Sequence, residues 1–218
     1  MTSSTGMRVI LLALALVSGG YGLASAIAQH GAEPRLQFPG NFDDIYTKKG
    51  QGSGWDISSQ WLRPDLASSS TFNDALQALW RNGSGSDLEV EHARARLRQI
   101  LSTAPYSAEL WLALALLEDR RDRGGPASLN ALKMSYLTAP AAVEMMSVRL
   151  DTATLSDGTT DTELAELVRG DMRMILTRRA DKKPTILQAY RRASRQGKSF
   201  IEQTVREIDP TFAPSLGG

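Results

Sequence analysis

The sequence predicts an all-α protein: antiparallel helical hairpins, in a repeating array or an irregular bundle, behind an N-terminal signal or anchor helix and an extended arm. Three observations carry this. From Ser70 onward apolar residues recur at three- and four-residue spacing, the helical period. Glycine and proline breakers cut that pattern into pieces of ordinary helix length. No stretch alternates polar and apolar residues as a half-buried strand does.

The chain has 218 residues, 42% hydrophobic and 22% charged, with a net charge of +1. That is sufficient for one core-bearing domain with a leader and a linker. Cysteine is absent, which excludes disulfides, thiolate metal sites and cysteine nucleophiles.

Residues 1–28 form the leader. Arg8 precedes nine consecutive apolar residues, Val9 to Val17. This is the arrangement of a signal peptide. Ala24, Ala26 and Ala28 supply small residues for cleavage after Ala26 or after Ala28. The same segment reads equally as an uncleaved anchor. Val9 to Ala28 is twenty residues without a charge, and about twenty span a bilayer core. Both readings put the bulk of the chain outside the cytoplasm, so the expected location is the periplasm, released or tethered to the inner membrane by residues 9–28.

Residues 29–69 read as a linker arm, with Pro34, Pro39, Pro64 and the tract Gly50-Gln51-Gly52-Ser53-Gly54. The tract neither follows a strand nor opens a helix, so it carries no nucleotide-binding signal. Phe38, Phe42, Trp55 and Trp61 make the arm more apolar than a spacer. Docking of Trp55 and Trp61 on the helical domain is favoured over an exposed partner-binding peptide.

Residues 70–209 form the helical domain. Phe72, Ala75, Leu76 and Leu79 make the first stripe, which Asn82-Gly83-Ser84-Gly85 ends. Ser86-x-x-Glu89 is a capping box, followed by an apolar face of Leu88, Ala93, Leu97, Ile100 and Leu101. Ser107 caps the next helix, with Leu110, Trp111, Leu114, Ala115 and Leu117 inward. Gly124-Gly125-Pro126 opens another, carrying Leu129, Leu132, Met134, Tyr136 and Leu137. Helices follow over Val143 to Leu155, Thr162 to Arg179, Pro184 to Arg195 and Lys198 to Ile208, with Gly197 read as the last breaker. Residues 210–218 read as a flexible tail.

Thr103-Ala104-Pro105 and Thr138-Ala139-Pro140 place two helix-ending prolines 35 residues apart. Between them Trp111, Leu114, Ala115 and Ala127 fall on the aromatic, Leu-Gly and small positions of a known pattern. The segment Ser107 to Pro140 thus resembles a tetratricopeptide repeat, and Ala93, Leu97 and Ile100 resemble a weaker copy before it. Glu118 stands where that family usually has an aromatic, and Met134 where it has a small residue. The resemblance implies stacked helical pairs that bind other proteins, with Trp111, Leu114 and Ala115 serving packing.

No catalytic constellation is legible. The chain lacks a P-loop, a G-x-S-x-G and an H-E-x-x-H, and its histidines are His30 and His92. Asp43-Asp44, Glu89/Glu91 and Glu118-Asp119 read as solvated acids. No enzyme activity, cofactor or metal is implied. Between Met172 and Arg206, ten basic residues face only Asp181 and Glu202, a concentration that can mark an anion-binding footprint. Arg178, Arg179, Lys182, Arg191, Arg192 and Arg195 are the residues expected to meet it. For an exported chain the matching partners are an anionic glycan or lipid, with nucleic acid disfavoured. The alternative is a solvated face whose charges pair with acids such as Glu89, Glu91, Glu163 and Glu166. The expected function is a scaffold or adaptor for inner-membrane or envelope proteins, by analogy in polysaccharide assembly or export.

Overall fold

A computed structural model describes Ser18, Phe38, residues 64–80 and residues 86–217. The cleavage positions, Trp55 and Trp61 lie outside the described residues. Among those described, the chain is all-helical, with eight α-helices and no strand. They are α1 (Pro64–Trp80), α2 (Ser86–Thr103), α3 (Ala108–Arg121), α4 (Pro126–Thr138), α5 (Val143–Leu155), α6 (Thr162–Arg178), α7 (Lys183–Arg192) and α8 (Arg195–Ile208). Short 3-10 turns occupy Asp157–Thr160, Ala180–Lys182 and Ala213–Gly217. No helix among the described residues is long and apolar enough to cross a membrane.

The helix starts are encoded locally. The side chains of Ser107, Asp161 and Ser194 accept from the backbone N–H of Leu110, Leu164 and Gly197 at 3.4, 2.9 and 3.0 Å. Each satisfies one donor that the first turn leaves orphaned. Pro126 and Pro184 stand in first turns, where a missing N–H costs nothing.

Two helices organise the packing. In α3, Leu110 and every residue from Leu112 to Glu118 are buried, so the helix has almost no solvent face. Helices α1, α2 and α4 pack around it, α4 most extensively. In α5, every residue from Met145 to Thr154 is buried. Helices α6, α7, α8 and the turn at Asp157–Thr160 surround it. The two groups meet where α4 lies against α6 and where α5 touches α3 and α4.

Polar clamps fix the register. Glu118 of α3, 5% exposed, accepts from Arg94 at 2.7 Å and from Arg98, both on α2. Arg94 is itself fully buried and also pairs with Glu91. Arg96 of α2 pairs with Asp74 of α1, and Arg120 of α3 donates to the Ala78 carbonyl at 3.1 Å. The buried acid at position 118 is tolerated because two arginines of α2 converge on it.

Several sequence expectations are corrected. Helix α1 begins at Pro64, within the stretch read as linker. Phe38 of the arm is buried against Phe72, with ring centroids 5.8 Å apart. Leu88 and Leu137, assigned to apolar faces, are 76% and 56% exposed, and Val90 and Arg94 turn inward instead. Ala127 is exposed; the close approach of α4 to α3 is made by Ser128, whose hydroxyl donates to the Ala115 carbonyl at 3.1 Å. The residues read as a flexible tail form a 3-10 turn with Leu216 buried and Phe212 against the core. Gly197 does not break a helix. It lies in the first turn of α8, where a Cβ would stand 2.1 Å from the Thr154 carbonyl oxygen, so α8 abuts the end of α5. The chain break falls at Ala193-Ser194, whose Ser194 N–H donates to that same carbonyl at 2.9 Å.

Gly197→Ala should therefore lower unfolding stability by about 2–3 kcal/mol through overpacking. Gly170→Ala, in mid-α6 with open space around its Cβ, should raise it by about 0.5–1 kcal/mol. Urea denaturation of the two variants measures both signs.

Candidate functional site

The basic segment is the candidate site, and the structure divides it. Arg178, Arg179 and Lys182 lie at the corner between α6 and α7, and Arg191, Arg192 and Arg195 at the corner between α7 and α8. Eight residues of α7, 183–190, separate the two corners, about 14 Å along the helix axis at 1.5 Å per residue. The six cations therefore form two small groups, not one patch.

The groups differ in how many cations are already engaged. Arg192 reaches across to α5, where Nε and Nη2 donate to the two carboxylate oxygens of Asp151 at 3.1 and 2.9 Å. Asp151 is wholly buried and Arg192 is three-quarters buried. This fork is a bidentate pair that ties α7 to α5, and it removes Arg192 from the surface. Arg179 binds Asp181 two residues on, at 3.0 and 2.8 Å, and this exposed bond holds the Asp181 carboxyl below its ordinary range. Lys183 bonds Asp209 at 2.7 Å and lies over the Phe212 ring at 5.2 Å, pinning the last turn. Lys198 sits over Tyr190, whose hydroxyl donates to Glu202.

Arg178, Arg191 and Arg195 are exposed, and Lys182 is partly so. Among the described residues, no carboxylate pairs with Arg178, Arg191 or Arg195. Three of the four acids expected as counter-charges serve elsewhere: Glu91 binds Arg94, Glu163 binds Lys133 and Glu166 binds Arg169. Besides Asp181 and Glu202 within the segment, its cations take Asp209, three residues beyond it, and Asp151, a whole helix earlier. Charge balance within the segment alone does not reveal these two.

Of the remaining candidates, Glu91 and Glu118 meet on Arg94, and Glu118 is buried where a solvated acid was expected. His92 is exposed on α2, and Asp119 accepts from the Gly124 N–H at 2.9 Å, its carboxyl raised chiefly by burial. His30 and Asp43-Asp44 lie outside the described residues. Among the described residues no cluster of three or more His, Asp or Glu is placed to hold a metal ion. Trp111 is partly buried on the core and donates its indole N–H to the Pro105 carbonyl at 2.7 Å. Beside it Tyr106, at the α2–α3 connection, is 86% exposed. No family model, no curated protein and no solved structure matches the chain.

The division of the cations into engaged and unengaged has a measurable consequence. Arg192→Leu removes the forked cation from buried Asp151 and should cost about 3 kcal/mol. Arg178→Gln, Arg191→Gln and Arg195→Gln should leave the denaturation midpoint unchanged, because each side chain ends in water.

Proposed function

We propose that this chain is a non-enzymatic scaffold or adaptor, built on tetratricopeptide-like helical pairs and working in a bacterial envelope assembly. The observation that carries this reading is the packing of α3 against both helices of the preceding pair, α1 and α2, while it pairs with α4. Successive pairs stack in this way in repeat proteins, each unit covering an apolar face that its neighbour leaves open. The Thr-Ala-Pro spacing of 35 residues supports the same reading. Exposed Tyr106 and Leu137 lie at the end of the pair where α3 starts and α4 finishes, and exposed aromatics suit protein partners. The apolar segment from Val9 to Ala28 supports a place at the outer face of the inner membrane.

A second reading is a helical module for an anionic ligand, a glycan, a lipid head group or nucleic acid. The unpaired Arg178, Arg191 and Arg195 favour it. Because the cations sit at two separate corners, binding would be weak and strongly salt-dependent.

Cell fractionation with a C-terminal tag tests the location. The protein should be recovered in the membrane or periplasmic fraction, either full-length or shortened to a start just after Ala26 or Ala28. Full-length protein in the cytosol contradicts it. Site-specific cross-linking from position 106 should then join the chain to inner-membrane or envelope proteins. Salt-sensitive retention of nucleic acid, lost in the triple variant of Arg178, Arg191 and Arg195, would replace the scaffold reading by the second.

A further inference from the structure

Three helices meet where α4 ends. α4 contributes Ser135 and Tyr136, α5 contributes Arg149 and α6 contributes Asp171. Tyr136, Arg149 and Asp171 are at most 2% exposed. All three side-chain hydrogen bonds of Arg149 go to the last turn of α4 and its cap. Nε donates to Ser135 Oγ at 3.0 Å, Nη1 to the Ala139 carbonyl at 3.0 Å and Nη2 to the Ser135 carbonyl. The guanidinium carbon lies 4.8 Å from the centre of the Tyr136 ring. A helix end leaves carbonyls without partners and carries partial negative charge, so a cation there is favoured twice over. α4 has no basic residue in its own last turn; α5 supplies one.

Asp171 is the unsatisfied member. Among the described residues its Oδ2 has no hydrogen-bond partner, and neither does the Tyr136 hydroxyl. An ionised carboxylate buried without a partner is strongly disfavoured, and two responses relieve it. The group keeps its proton, or it takes a cation from another acceptor. The cation whose charge acts on it is Arg149.

We propose that Arg149 is the moving part of a proton-controlled latch: while Asp171 is protonated the guanidinium caps α4, and when Asp171 gives its proton to solvent the guanidinium is drawn to the carboxylate and the last turn of α4 is released. The charges around Asp171 permit this. Burial pushes its carboxyl up to about 7, and Arg149 acts in the opposite direction. Tyr136, facing it from α4, senses the Asp171 charge, and burial holds its phenol far above the ordinary range. Glu144, in the first turn of α5, acts on Arg149. Among the described residues, no ionisable group of α7, α8 or the 3-10 turns acts on Asp171. A carboxyl whose folded pKa is raised binds its proton more tightly in the native state. Stability therefore falls as pH rises from about 4 to about 7 and is level above that. The released turn carries exposed Leu137 and leads through Pro140 into α5, so the latch sits between the two helical groups.

The test uses the full chain. Carbon NMR follows the Asp171 carboxyl, and hydrogen exchange, corrected for intrinsic rates, compares amides 136–142 with those of α1 and α2 at about pH 5.5 and about pH 8.5. The carboxyl should titrate near 7, and protection in 136–142 should fall about tenfold or more at the higher pH relative to α1 and α2. Asp171→Asn should hold the turn protected at both pH values. The proposal is overturned if Asp171 titrates near 4, if the relative protection is the same at both pH values, or if Asp171→Asn keeps the wild-type response. The first two readings need no variant, so a misfolded Asp171→Asn does not leave the question open.

Discussion

The structure depends on the burial of α5, a helix with no solvent face that nevertheless carries Arg149 and Asp151. Charges taken out of water destabilise a fold unless each meets a partner of good geometry. That requirement decides what may stand around α5. Arg149 needs acceptors and finds them at the end of α4. Asp151 needs a cation and finds the fork of Arg192 on α7. Thr152 and Thr154 return their hydroxyls to carbonyls one turn back, at 2.7 and 2.8 Å. The charges of α5 thus select their neighbours, whereas the leucines of α3 ask only for apolar cover.

This contrast separates the two helical groups. Around α3 the packing is dominated by Leu110, Leu112, Leu116 and Leu117, all essentially unexposed, with Glu118 and Arg94 as a deep charged pair. Helices α1, α2 and α4 cover α3. Around α5 the helices are placed by individual polar contacts and by the contact of Gly197 with Thr154. There each neighbour answers a different side chain. The same polarity gives the second group its responsiveness, since a proton on one carboxyl changes which acceptor a buried arginine serves.

Much of the fold was legible because it is written in local chemistry. Val143 and Leu155 bound α5 as the periodicity and breakers indicate, and Ser107 caps α3 as its residue type suggests. What was hidden depends on long-range contacts. Gly197 reads as a breaker because nothing nearby in sequence shows that the Thr154 backbone will lie against it. Arg94, Arg149 and Asp171 carry no burial signal in residue type alone, because arginine and aspartate are mostly exposed. An available signal was their position on the apolar side of their helices: Arg94 falls between Val90 and Leu97, and Asp171 beside Val168 and Ile175. The candidate anion site was half legible. The cations were identified by composition, but their acids, Asp151 and Asp209, lie outside the counted window, and α7 separates the six into two corners.

The central claim, that the charges of α5 choose its neighbours, is tested most directly by a double-mutant cycle on Asp151 and Arg192, using Asp151→Asn, Arg192→Leu and their combination in equilibrium unfolding. The account predicts a coupling of about 2 kcal/mol or more, as expected of a buried bidentate pair whose members act as a unit. A coupling below about 0.5 kcal/mol, the value of independent sites, would contradict it.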